Sequence, residues 1–392
     1  MYTTRLFRLL HLMCKLTTKM GSFSMHFNPT EKIFYITTRS RRKYGRSIVI
    51  LISYMCLMWR QVMYIYLDGD DSWTSNSHFH FGYVLTFGVS VPIVASMILY
   101  LEQNNVSRAL NLIFGYFPRF HKKWMPICHP ETNPILKLLV ILVHLEIAGF
   151  ALIPFATTFY FITSPENGVH PRQVFLPACV KNDPVFVSAS LLGVTIIAGM
   201  TWYLVMLCVV IATLYFFSMQ LVLREFDMKG NTKHLAFDSL RESGENLSLE
   251  YTCIRLVHKA LMDPFGLLIV FSHGACSHFI LFCNFTIIKN WHTTDIFNTV
   301  LLLLWVSTVH NLWSTVLEVG GRFQKMSASM LKSWKLAKFS SNEERKFVAK
   351  FRKWQKRLAF GKDGVFIITR ISILKFFRAN LKGTFKAVLT IE

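Results

Sequence analysis

Residues 364–392 read GVFIITRISILKFFRANLKGTFKAVLTIE. More than half of them are apolar, yet the stretch carries Arg370, Lys375, Arg378, Lys382 and Lys386. On a membrane-insertion scale each apolar residue gains roughly 0.3–0.6 kcal/mol, and each central Lys or Arg costs roughly 2.5–3.5 kcal/mol. Five unshielded charges outweigh that gain. Wound as a helix at about 100° per residue, Lys375, Arg378, Lys382 and Lys386 fall in one stripe about 80° wide. Two readings follow. Either the helix crosses a bilayer with its stripe on a bundle interior or a water-filled path, or it lies in the interface with its charges snorkelling to water.

The rest of the chain favours a membrane setting. Of 392 residues 52% are hydrophobic, 35 are Phe and only 17% are charged, with a mean hydropathy of +0.37. That composition is foreign to a soluble domain and common in a multi-span helical protein. The net charge of +21 does not indicate nucleic acid, because the cations sit between oily runs and no nucleic-acid motif is present. Eight Cys are scattered, mostly inside apolar segments. Cys276 and Cys283 share a helical face, but neither zinc-ligand nor disulfide-framework spacing appears, so no metal or cofactor is expected. Arg5 and Arg8 interrupt the first apolar run and no small-residue cleavage site follows, which argues against a signal peptide. Residues 1–20 lack acids and read as a basic helix on the inner leaflet.

Seven segments are long enough to cross a bilayer, which needs about 20 residues. They are Ser47–Tyr66, Phe81–Leu101, Ile135–Ile162, Val185–Ser218, Gly266–Ile288, Ile296–Leu317 and Gly364–Leu389. The expected fold is all-α with seven transmembrane helices. Residues 1–46 together with the second, fourth and sixth connections hold 33 Lys/Arg, and the first, third and fifth hold 3. By the positive-inside rule the N-terminus is cytoplasmic and the C-terminus extracellular. The expected organisation is a cytoplasmic segment (1–46), a bundle of six helices holding a ligand site (47–318), a cytoplasmic anchor (319–363) and a last crossing (364–392). The sequon at Asn284 falls inside a span, and those at Asn105 and Asn246 fall on the cytoplasmic side, so no glycan is expected at these two.

Two segments predict ordered structure beyond the bilayer. Val185–Ser218 would run roughly 50 Å as a helix against a hydrocarbon core of about 30 Å, so its inner end should project into the cytoplasm. Ser341-Asn-Glu-Glu344 has the capping-box form. Phe347, Phe351, Trp354 and Leu358 then recur at helical spacing among basic residues, which predicts an amphipathic helix over Ser341–Phe360. It either joins a cytoplasmic platform or lies on acidic lipid.

Several function classes are disfavoured. A rhodopsin-like receptor has its N-terminus outside, and neither a DRY-type motif after the third span nor NPxxY in the seventh is present, so no G protein is expected. No HExxH, nucleophile elbow, Gly-rich phosphate loop or paired intramembrane acids suggest an enzyme. A secondary transporter is the alternative from another class, but no internal repeat supports it.

The arrangement resembles the arthropod gustatory and odorant receptors. Leu312-Trp313-Ser-Thr-Val-Leu317-Glu318 followed by Ser327, Leu331 and Trp334 is similar to the family's stretch after its sixth helix. Thr384-Phe385 stands where the family has Thr-Tyr or Ser-Tyr before a short hydrophobic stretch. Phe385 in place of Tyr and the ending Ile391-Glu392 depart from many gustatory receptors, and the pair leans towards that branch or an early relative. The resemblance implies a ligand-gated cation channel in the plasma membrane. Four like or related subunits would surround one pore, each contributing its seventh helix.

The resemblance also places a small-molecule pocket in the outer half of each bundle. There the sequence holds Tyr83 and Phe87, then Phe155, Phe159 and Tyr160, then Ser188, Leu191 and Thr195, then Trp305. Aromatic walls with a few hydroxyls suit small, mostly apolar ligands. The family's narrowing follows its Thr-Tyr pair, which implies a gate around Thr384, Phe385, Val388 and Ile391, with Glu392 making an acidic ring at the outer mouth. Glu146 lies near the middle of the third span, where an acid is costly and marks a functional or structural ion pair. Arg378 is its expected partner. His273, His278 and His310 read as hydrogen-bonded core residues.

Overall fold

The computed structural model describes residues 4–67, 76–125, 134–165, 168–176, 180, 182–229, 234–292 and 296–390. Helices dominate: α1 (Thr4–Met20), α2 (Thr38–Leu67), α3 (Ser77–Leu101), α4 (Gln103–Trp124), α5 (Pro134–Thr163), α6 (Pro171–Phe175), α7 (Pro184–Glu225), α8 (Ser239–Glu242), α9 (Gly244–Lys289), α10 (Ile296–Ser333), α11 (Asn342–Trp354) and α12 (Ser372–Thr390). Two small antiparallel hairpins interrupt the expected all-α pattern. They are β1 (Met25–Asn28) with β2 (Ile33–Ile36), and β3 (Gly361–Lys362) with β4 (Phe366–Ile367). Among the described residues, six helices are long and apolar enough to cross a membrane: α2, α3, α5, α7, α9 and α10.

Local chemistry sets the helix starts. The side chains of Asn76, Asp183, Ser243 and Ser341 each accept a backbone N–H of the first turn of α3, α7, α9 and α11, which satisfies donors that the helix itself leaves open. Pro184 occupies the first turn of α7, where its missing N–H costs nothing.

α7 is over-long as expected, and at 42 residues it runs past the expected end at Ser218 to Glu225, while α9 has 46. α9 begins 22 residues before the expected span at Gly266, and α10 runs 16 residues past Leu317. The excess was hidden because the polar residues outside the bilayer break the apolar run without breaking the helix.

These long ends, with α1, α4 and α11, build the larger of two cores. It joins Phe7, Met13, Phe27, Phe117, Tyr215, Phe226, Tyr251, Leu317, Phe323 and Trp334. The basic helix expected on the inner leaflet is α1, but its apolar face is spent on the protein: Phe7 stacks on Phe27 at 5.9 Å, and Leu10, Met13 and Cys14 are buried. α4 was not expected, since Gln103–Trp124 is only moderately apolar. It is held by buried Glu250 of α9, which accepts from Trp124 Nε1 at 2.9 Å and from Lys123 at 3.0 Å. Burial, and then Glu250 itself, push the Tyr116 hydroxyl well above its ordinary range, so the tyrosine stays neutral beside the carboxylate.

Half of the capping box at Ser341 forms, with Ser341 Oγ accepting from Glu344 N at 3.0 Å. Glu344 does not complete the box. Its carboxylate takes the Gly244 N–H at the start of α9 and the Ser340 hydroxyl, which also places a negative charge at a helix N-terminus. The expected helix to Phe360 ends at Trp354. Val348 is its buried face, Phe351 is half-buried, and Phe347 and Trp354 are exposed.

Residues 355–360 form an extended strap along α9. Tyr251 donates to Lys356 O at 3.0 Å, Arg255 to Gln355 Oε1 at 2.8 Å, and His258 bonds Ala359 O at 2.9 Å. These three α9 residues share one face by their spacing. The β3–β4 hairpin follows. Gly361 has φ +123° and Gly364 φ +80°, values that suit glycine and few other residues. The last helix therefore starts at Ser372 and not at Gly364. Residues 364–371 enter the hairpin and a turn instead.

Candidate functional site

The smaller core lies at the other end of the bundle, where α7 contributes Val194 and Met200. Phe81 of α3, Tyr160 of α5 and Trp305 of α10 form its aromatic centre. Phe81 lies 5.8 Å from Tyr160 and stacks on Trp305 at 6.0 Å. Tyr160 also lies parallel to Phe297 at 6.1 Å and donates to Asn298 Oδ1 at 3.2 Å. These side chains pack directly on one another, and the group is apolar apart from the Tyr160 hydroxyl and the Asn298 amide.

A second aromatic group joins α3 to α9. Tyr83 packs on Phe282 at 4.1 Å and edge-on to Trp59 at 5.3 Å. Its hydroxyl shares a 2.8 Å hydrogen bond with His278 Nε2. Beside it, Phe87, Val270, Phe271, Gly274, Ala275 and His278 line an open groove of about 410 Å³.

The structure thus brings Tyr160 and Trp305 into one core, with Tyr83 and Leu191 packed against it. Phe87 reaches the groove. Thr195 touches Thr158 across α5 and α7 while donating to Leu191 O at 2.9 Å. Phe155, Phe159 and Ser188 do not converge with them. All three are exposed, because α5 packs on α7 through its opposite face. Leu145, Leu152, Phe155, Phe159 and Ile162 make one outward apolar stripe. Phe81, Phe282 and Asn298 were not singled out, and His278 was read only as a hydrogen-bonded core residue. Asn298, an amide inside an apolar run, was the available signal.

Glu146 accepts from Thr213 of α7 at 2.6 Å. Among the described residues it makes no ion pair with Arg378, which is exposed on α12. The reason is placement: α5 packs on α7 and α12 on α9 and α10. His273 accepts from Trp313 Nε1 at 2.9 Å and His278 is bonded to Tyr83. His310 Nε2 is buried without a hydrogen-bond partner among the described residues, and its ring packs on Phe377 at 4.5 Å.

α12 presents three faces. Ser372, Phe376, Asn380 and Thr384 are buried at i, i+4 spacing. Phe376 lies 5.7 Å from His273 and 5.5 Å from His310, and Asn284 of α9 donates to Thr384 Oγ1 at 3.3 Å. Thr384 is thus turned onto its own bundle, away from any open face. Leu374, Phe377, Leu381 and Phe385 form an exposed apolar face. Lys375, Arg378, Lys382 and Lys386 are all exposed on the third. Val388 is half-buried, and Ile391 and Glu392 lie outside the described residues. Among the described residues no cluster of His, Cys, Asp and Glu is arranged to hold a metal ion.

No family model and no curated protein sequence matches the chain. Solved structures do. The insect olfactory receptor OR5 of Machilis hrabei in complex with eugenol superposes with a TM-score of 0.67 at 9% identity, covering 98% of each chain. The same receptor in a second structure gives 0.65 at 9% identity, covering 99% of each. At such identity the likeness is one of architecture, and it extends from end to end. This chain is a multi-pass helical membrane protein with the fold of the insect olfactory receptors.

Proposed function

We propose that this chain is a chemosensory receptor of the plasma membrane acting as a ligand-gated, non-selective cation channel. The observation that carries the reading is the fold match over nearly the whole of both chains. One of the matched receptors is in complex with eugenol, a small aromatic molecule. The Phe81–Tyr160–Trp305 core offers a ligand of that kind stacking partners and the Tyr160–Asn298 pair as its polar contact. Tyr83, Phe87, Leu191 and Thr195 line the approach.

α12 is the seventh crossing in this reading. Its 19 residues span about 28 Å at ~1.5 Å per residue, close to a hydrocarbon core of about 30 Å. The N-terminus is cytoplasmic and the C-terminus extracellular, on the loop-charge asymmetry. An exposed apolar face beside a stripe of cations suits a helix covered by a neighbouring subunit. Four like or related copies around one pore would supply it, with the gate near Phe385, Val388 and Ile391 and Glu392 at the outer mouth. The Thr384-Phe385 pair leans towards the gustatory branch or an early-branching relative.

Whole-cell recording from cells expressing the chain, during a screen of sugars, bitter compounds and volatiles, tests this reading. An evoked cation current supports it. Surface-resident chain that stays silent throughout the screen argues against it. In detergent, the particle mass should be that of four subunits.

A further inference from the structure

The N-terminal 46 residues carry ten Lys/Arg and only one acid, Glu31, and all ten cations are exposed. On α1 they are not spread around the helix. At about 100° per residue, Arg5, Arg8, Leu12, Lys15, Leu16 and Lys19 fall within about 100° of arc. This stripe lies opposite the buried face made by Leu6, Leu10, Met13 and Thr17. The two leucines in it are 61% and 40% exposed, although buried sites were within reach one residue away. Interleaved cations and exposed leucines fit a surface that is anionic at the top and apolar just beneath.

The packing fixes where that stripe sits. The Lys43 ammonium, in the opening turns of α2, donates to the carbonyl of Lys19 at the end of α1. Gly21 lies directly against Ser47, where the apolar run of α2 begins. Met20 packs against Gly199, which is 15 residues, or about 22 Å, along α7 from Pro184. α1 therefore ends level with the start of the apolar run of α2.

We propose that this stripe of α1 docks on the anionic phospholipid headgroups of the leaflet that α2 enters. Leu12 and Leu16 seat below the phosphates, and Arg5, Arg8, Lys15 and Lys19 pair with them. The apolar face of α1 is already occupied by the larger core, so the lipid contact is made by a helix held rigidly on the receptor. Lipid charge is thereby coupled to the core that also holds the strap leading to α12.

Native mass spectrometry of the full-length chain in detergent tests this, titrating dioleoyl phosphatidylserine with the corresponding phosphatidylcholine as reference. R5Q/R8Q/K15Q/K19Q should weaken binding of the first phosphatidylserine at least tenfold and leave phosphatidylcholine unchanged. L12S/L16S should weaken it two- to threefold, and the charge-keeping K15R/K19R should bind as the parent chain does. R345Q/K346Q/K350Q/K353Q removes as many charges from α11 and should change the first phosphatidylserine affinity less than twofold. Unchanged affinity in the α1 variant, or an equal loss in the α11 variant, overturns the proposal. So does a changed subunit count with unchanged lipid binding, which would assign the stripe to a second copy of the chain.

Discussion

His258 of α9 bonds the carbonyl of Ala359 in the strap at 2.9 Å, and the same ring meets the Tyr215 hydroxyl of α7 at 2.7 Å. A carbonyl only accepts, so Nε2 carries the proton and Nδ1 accepts from tyrosine. One neutral imidazole thus ties α7, α9 and the segment that leads into α12. Phe360, the next residue, stacks on Phe216 at 4.4 Å and meets Phe323 at 4.8 Å. Leu358 and Phe360 anchor the strap, both buried.

Replacing His258 with Leu strands the Ala359 carbonyl in an apolar core and removes the ring that the Tyr215 hydroxyl meets. A buried carbonyl left unpaired costs about 1–3 kcal/mol. The expected outcome is a clearly lowered Tm of the detergent-solubilised chain, larger than that caused by K356A, whose contribution to α9 is a backbone carbonyl. Equal melting of H258L and the parent chain would contradict the tie.

The entry to α12 depends on close backbone approach. A Cβ on Gly321 would stand 2.9 Å from both Arg370 Cα and Thr369 O, atoms that cannot rotate away. G321V should therefore displace the turn before α12 and abolish evoked current even in chains that reach the surface. G274V, at a site where an added Cβ meets nothing, should melt like the parent chain. Surface labelling with current recording checks the first, and a thermal melt the second.

Glu146 and Arg378 should be energetically independent. The carboxylate takes its hydrogen bond from Thr213, and Arg378 faces away. In a double-mutant cycle with E146Q and R378Q, the two changes in stability should add to within about 0.5 kcal/mol. E146Q retains an acceptor for Thr213, so it should cost less than T213V, which leaves the acid unpaired. A coupling above about 1 kcal/mol would restore the ion pair.

Within the smaller core, W305A and Y160A should raise the concentration of ligand needed for half-maximal current about tenfold or more. S188A, at an exposed position outside that core, should leave it unchanged. Dose–response recordings on the three variants decide between this core and a site on the outer faces of α5 and α7.

Much of this architecture was legible in the sequence, and the failures share a cause. Long apolar runs located six long helices, and Ser341 marked a helix start through its capping chemistry. Periodicity could not say which face of a helix meets protein and which meets lipid, because both are apolar. That is why Phe155 and Phe159 turned outwards, and why Phe347 and Trp354 gave way to Val348. Helical spacing placed the charges of the last helix on one stripe, and all four are exposed, but spacing left open what the stripe faces and put the start of the helix too early. The residues from Gly364 to Ile371 are as apolar as a span, and only a backbone with φ near +80° reveals the hairpin turn. The pairing of Glu146 failed because sequence offers candidate charges without neighbours, whereas Thr213 was chosen by the packing of α5 on α7.

The central claim is that a small molecule bound in the Phe81–Tyr160–Trp305 core opens a cation path bounded by α12. Its most direct test is ion flux through purified chain reconstituted alone into liposomes, with ligand binding measured on the same sample. The account predicts a sodium and potassium flux that rises with ligand occupancy and is lost in W305A. Saturable ligand binding with no flux above that of empty liposomes would contradict it.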